Sequence, residues 1–150
     1  MRKLIGLAAA LLALLVSGVA LGAAPRKGSG VVYASVTHAE GKDLYVSGDF
    51  TDKILGRGAI VYITNVSNGP QQGSVLVKAK KITIYTARGT LTGTGSATQT
   101  TAADNKVTVS DGQFSLTKGT GDLKGRTYTG TFSGDQTNGV YKFTYTGTYR

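Results

Sequence analysis

This sequence predicts an all-β protein, and within that class a single antiparallel eight-stranded β-barrel, on three observations. After residue 30 no stretch supports a long helix; segments rich in Val, Ile, Thr, Tyr and Phe alternate with clusters of Gly, Asn and Asp, which is strand-and-turn punctuation. Several segments alternate apolar with polar residues, as a sheet with one wet face requires. Glycines stand in mid-strand at Gly93, Gly95, Gly130 and Gly147, where curvature explains them better than a flat surface does. A two-sheet β-sandwich is the alternative architecture; the glycines favour the closed barrel.

The elements follow in order. Arg2 and Lys3 form a positive start, and residues 4–22 are apolar or small and uncharged. Ala20 and Gly22 stand three residues and one residue before a cut at Gly22/Ala23, where a signal peptidase needs small side chains. This is the layout of a helical signal peptide over residues 1–22. A retained anchor is the competing reading, because the run approaches the roughly 20 residues that span a bilayer. Its many Ala and Gly residues favour cleavage, with no stable membrane anchor afterwards. The protein is then secreted or held in the cell envelope. Residues 23–30 read as a flexible lead-in, and residues 31–150 as the barrel domain.

Strands are expected near 31–38, 42–51, 57–66, 74–86, 88–101, 106–118, 126–133 and 139–149. The last is the clearest: Tyr141, Phe143, Tyr145 and Tyr149 share one face, with Lys142, Thr144, Thr146 and Thr148 on the other. Its neighbour repeats the pattern with Tyr128, Gly130 and Phe132 against Thr127, Thr129 and Thr131. A loop over residues 134–139 would join the two into a hairpin. In 88–101, Leu91, Gly93, Gly95 and Ala97 share a face, so the strand must bend or pack closely on the aromatics of 139–149. In 106–118 the register breaks: Val107 and Val109 are odd-numbered, Phe114 and Leu116 even. A bulge or turn near Asp111-Gly112 would restore the facing.

Composition narrows the chemistry. The chain holds no cysteine, which removes thiol catalysis, zinc–cysteine sites and lipid attachment at the leader. A disulfide-free exported chain fits a bacterial envelope best. Of 17 Lys and Arg, Arg2 and Lys3 belong to the leader, leaving 15 against 8 Asp and Glu, a net +7. That balance favours anionic partners, though it also serves solubility. The basic residues are spread along the chain, with one short cluster at Lys78, Lys80 and Lys81.

Few constellations suggest catalysis. His38 is the lone histidine, two residues from Glu40; an acid–base pair is conceivable there, and a polar strand end is the simpler reading. Asp43, Asp49 and Asp52 match no calcium loop and read as solvated loop carboxylates, so no metal site is expected. The run Gly119-Thr120-Gly121-Asp122-Leu123-Lys124-Gly125 lacks both the third glycine of a dinucleotide fingerprint and the lysine–hydroxyl ending of a phosphate loop, so it reads as a turn. No serine elbow occurs, and no cofactor is expected. The binding candidates are the inward aromatics Tyr128, Phe132, Tyr141, Phe143, Tyr145 and Tyr149. They read first as core. Several inward tyrosines would also make an apolar cavity with a few polar points, which is how small-ligand sites are built.

Residues Gly89-Thr90-Leu91-Thr92-Gly93-Thr94-Gly95, Gly112 through Gly125, Thr129-Gly130-Thr131-Phe132 and Phe143-Thr144-Tyr145-Thr146-Gly147 carry a family resemblance. They resemble the bacterial secreted relatives of the allene oxide cyclase and dirigent barrels. The resemblance covers 88–149 and, weakly, 42–66. It implies a calycin-like eight-stranded barrel, compatible with a homo-oligomer. Plant members guide cyclisation or radical coupling of small apolar molecules; no motif matching their acid–base residues occurs here.

Three roles follow as expectations. The first is a non-catalytic barrel binding a small apolar molecule or an anionic surface polymer, with no nucleic acid as partner. The second is a cofactor-free isomerase, cyclase or coupling guide. The third is a structural envelope protein without ligand.

Overall fold

The computed structural model describes residues 24–150. Eight strands follow in chain order: β1 (Arg26–Glu40), β2 (Asp43–Asp52), β3 (Gly56–Asn68), β4 (Ser74–Thr86), β5 (Gly89–Thr101), β6 (Val107–Gly119), β7 (Tyr128–Thr137) and β8 (Val140–Tyr149). Each pairs antiparallel with the next, and β8 returns to β1. The sheet is therefore the expected closed barrel, not a sandwich. The expected signal peptide and its cut at Gly22/Ala23 lie outside the described residues.

Two boundaries differ from expectation, each for a hydrogen-bonding reason. Residues 26–30 are not a flexible lead-in: they form the first part of β1, and Arg26 through Gly30 pair with Tyr149 through Tyr145. Without them the end of β8 would be an open edge with unpaired backbone groups. The β7–β8 connection is not a six-residue loop either. Asn138 and Gly139 have φ of 51° and 80°, and Thr137 pairs with Val140. Two successive residues at positive φ make the tight hairpin turn that Asn-Gly favours, so both strands run on to the turn.

Bulges hold the apolar residues on the inner face. On β6, Val109 faces Gly134 and Gly112 faces Phe132, so one extra residue is accommodated between them. Asp111, at φ 52°, marks the spot. This is the expected break, and it brings Val107, Val109, Phe114 and Leu116 to one side. A second bulge on β4 follows the same logic. Ala79 pairs with Gly95 and Ile82 with Gly93, which turns Val75, Val77 and Ala79 inward together with Ile82 and Ile84.

The two ends of the barrel differ. At one end, here the base, Leu91, Leu123 and Tyr128 are fully buried, and Leu55 and Tyr149 nearly so. A single 3-10 turn, Gly121–Leu123, lies in the β6–β7 connection and supplies Leu123 to this plug. At the other end, the mouth, Val36 and Val66 are more than 40 % exposed although they face the lumen. Outward positions are mostly Thr, Ser and Lys, the reverse of a barrel whose outer wall meets lipid.

Candidate functional site

The lumen holds a cavity of about 210 Å³, closed by the base and open toward the mouth. Its wall is built from the inward positions of all eight strands. Mainly aliphatic residues of β1–β4, with Phe50 and Tyr62 among them, form one side, and Phe114, Tyr128, Phe132, Tyr141, Phe143 and Tyr145 of β6–β8 the other. No Lys, Arg, His, Asp or Glu lines it.

Five of the six expected aromatics line this cavity: Tyr128, Phe132, Tyr141, Phe143 and Tyr145. They pack by their edges and faces. Phe132 meets Phe143 edge-on at 5.4 Å between centroids, and Tyr141 stacks on Phe143 at 5.5 Å. The sixth, Tyr149, sits below the cavity, buried against Tyr128. Its hydroxyl is enclosed with no hydrogen-bond partner among the described residues.

Three glycines shape this wall. Gly28, Gly147 and Gly130 lie in one cross-strand row on β1, β8 and β7. A Cβ on Gly130 would strike the Thr146 carbonyl and come within 2.8 Å of the Phe114 ring; one on Gly147 would come within 2.7 Å of the Tyr128 ring. The rings of Tyr128 and Phe114 thus lie against bare backbone. The glycines of β5 act differently. Gly93 and Gly95 press on the β6 backbone and Ile82, not on the aromatics of β8.

Beneath the aromatics a carboxylate ties the base together. Asp52 is 4 % exposed, so it is not the solvated loop residue that was expected. Its Oδ1 accepts from the backbone N–H of Ile54 and Leu55 at 2.6 and 2.8 Å, which closes the β2–β3 turn. Its Oδ2 accepts from the Tyr128 and Tyr145 hydroxyls at 2.7 and 2.9 Å. Both tyrosines are pushed well above the ordinary value, first by burial and then by the carboxylate that would face a phenolate. They stay neutral donors.

Nearer the mouth the cavity has a second polar point. The Tyr141 hydroxyl donates to Gln99 Oε1 at 3.2 Å, bridging β8 to β5 across the lumen. Tyr62, on β3, faces the same spot, and its hydroxyl makes no hydrogen bond within the described residues. Burial, with a smaller contribution from Tyr141, raises it too. Tyr62, Phe114, Gln99 and Asp52 were not among the expected site residues. A signal existed for Tyr62: Ile60, Tyr62, Thr64 and Val66 alternate with the period of a strand. Asp52 carries no comparable mark, because a carboxylate in a turn is ordinary.

The remaining motifs stay apart from the cavity. His38 is exposed and stacks on Tyr45 at 4.1 Å, while Glu40 accepts from the Tyr45 hydroxyl at 3.4 Å. Tyr45 thus sits between the pair and occupies both. Among the described residues no three His, Asp or Glu gather as a metal would need. The basic residues, evenly spread in sequence, are not evenly spread in space. The turns at the base carry Lys53, Arg88, Lys124 and Arg126, and the strand ends and last residue beside them carry Arg26, Lys27, Arg57, Lys118 and Arg150. Two aspartates share that end, buried Asp52 and exposed Asp122. At the mouth rim Lys42, Lys106 and Lys142 meet Glu40, Asp43, Asp104 and Asp135.

No family model, no curated protein and no solved structure matches the chain.

Proposed function

We propose that this barrel is a binding protein for a small, neutral, mainly apolar molecule, held in the lumen and admitted at the mouth. The carrying observation is the cavity itself: about 210 Å³ of aliphatic and aromatic wall without a charged residue. Burying an ion there would cost far more than the wall returns, so a fatty-acid head or an ammonium does not belong inside. The volume is below the roughly 300–1,000 Å³ of drug-sized sites, which suits one or two rings or a short chain. The free Tyr62 hydroxyl and the Gln99 amide favour a ligand with one hydrogen-bond acceptor, such as a carbonyl. A cyclase or coupling activity of the resembled kind would have to use the same cavity. Its lining offers no carboxylate, imidazole or amine to move a proton near neutral pH, which supports binding over turnover. With the export signal expected of residues 1–22, the ligand would be met outside the cell.

Titration with two fluorescent probes tests the reading. The neutral N-phenylnaphthylamine should bind saturably, one per chain, and brighten. The anionic anilinonaphthalene sulfonate should not compete at equal concentration. Absence of saturable binding by the neutral probe, or equal binding of both, would defeat the proposal.

A further inference from the structure

We infer that the base of the barrel, with a shallow saddle climbing from it over β1, β7 and β8, docks on an anionic polysaccharide. This inference does not depend on what the lumen holds. Two observations carry it. The first is the segregation of charge: nine Lys and Arg gather at the base against one exposed acidic side chain, Asp122, while the mouth rim is nearly balanced. None of these nine cations makes an ion pair; among the described residues the one salt bridge is Lys80–Asp43, away from the base. Their field is therefore directed outward.

The second is the shape and lining of the saddle. The outer wall carries an open concavity of about 520 Å³ over the glycine row. The concavity lies over Gly28, Gly130 and Gly147, whose backbone rests against the rings of Tyr128 and Phe114 on the inner side. Lys27, Lys53, Thr129, Thr131, Thr146 and Thr148 line it. Lys27 Nζ donates to Thr148 Oγ1 at 3.2 Å, which holds one ammonium over the hydroxyl array. Threonines two apart on a strand repeat at ~6.8 Å and across strands at ~4.8 Å. Regular hydroxyls beside two ammonium groups match a chain that bears both hydroxyls and acids.

Other polyanions fit less well. A flat bilayer cannot follow a groove, and the base turns keep Leu55 and Leu123 buried and Ile54 packed against the core, which leaves little apolar surface at these turns for insertion. Single-stranded nucleic acid needs stacking rings, and the saddle lining has none.

The test uses the full mature chain on immobilised polygalacturonate, with neutral dextran as the blank. Retention should be salt-sensitive. Lys27→Gln with Lys53→Gln should weaken binding about tenfold. Lys78→Gln with Lys81→Gln, which removes the same charge elsewhere, should change it less than about twofold. All four side chains are exposed, so circular dichroism should report an unchanged fold. Equal loss in both pairs would mean net charge alone and would overturn the proposal. So would no retention, or tighter binding at equal salt to single-stranded DNA or to phosphatidylglycerol vesicles.

Discussion

At the scale of single residues, Asp52 and Tyr149 make opposite predictions although both are buried polar groups at the base. Asp52 satisfies two backbone N–H groups and two tyrosine hydroxyls. Asp52→Ala would leave four donors without their acceptor, and should cost about 3 kcal/mol or more, read by urea unfolding. Tyr149 has an enclosed hydroxyl with no partner. Tyr149→Phe should therefore be neutral or stabilising by up to ~1 kcal/mol. A substantial loss there would mean that the hydroxyl is satisfied after all. The raised tyrosines add a pH effect with a definite sign. Tyr62, Tyr128, Tyr141 and Tyr145 release their protons less readily folded than unfolded. Their contribution is complete below the ordinary tyrosine value of about 10 and falls away as the pH climbs beyond it, because the unfolded chain ionises first. In an alkaline titration followed by tyrosinate absorbance, at least these four of the eight tyrosines should ionise only as the far-ultraviolet dichroism is lost. Ionisation of all eight in an intact barrel would contradict this.

Strands carry their own logic, and most of it was legible. Strand-forming composition between turn residues located all eight, and period-two alternation fixed the facing of β5, β7 and β8, because a closed sheet has one dry face and one wet face. The parity break at Asp111-Gly112 was readable as a bulge for the same reason. The matching break in β4, where Val75, Val77 and Ala79 give way to Ile82 and Ile84, is written in the sequence just as clearly; the intervening Lys80 and Lys81 disguise it as a charge cluster. Turn chemistry at Asn138-Gly139 was also present, but the polar run before it hid how far β7 extends. The pairing of Arg26–Gly30 was not legible, since it depends on β8 needing a partner more than a hundred residues away. Glycines were legible as curvature, but not as to which of them carry rings. That difference is measurable. Gly130→Ala drives a Cβ into the Thr146 carbonyl and the Phe114 ring, so it should cost about 3 kcal/mol. Gly41→Ala, at φ 60° with open space around it, should cost only about 1 kcal/mol. Equal costs by urea unfolding would show that the Gly130 backbone is not closely packed on Thr146 and Phe114.

As a whole, the molecule has two unlike ends. The base is locked by Asp52, by interlocking aromatic rings and by the Leu91 and Leu123 plug; the mouth is bridged by one neutral hydrogen bond over an apolar well. Sequence could suggest an aromatic cavity, because five of its rings alternate on neighbouring strands. It could not show Gln99 meeting Tyr141, or nine cations gathering at one end, because barrel closure alone brings those positions together. If the well is a binding site and not merely imperfect packing, filling it should separate function from stability. Ala97 is 6 % exposed on the cavity wall, opposite Val77 on β4. Ala97→Phe should project a ring into the void, restoring contacts the cavity lacks and removing the space a ligand needs. Neutral-probe affinity should fall at least about tenfold while the melting temperature holds or rises, since an empty apolar void of this kind costs roughly 24 cal/mol per Å³. Probe binding unchanged in a stable Ala97→Phe barrel would place the site elsewhere. Binding and stability lost together would mean that this wall has no room to spare.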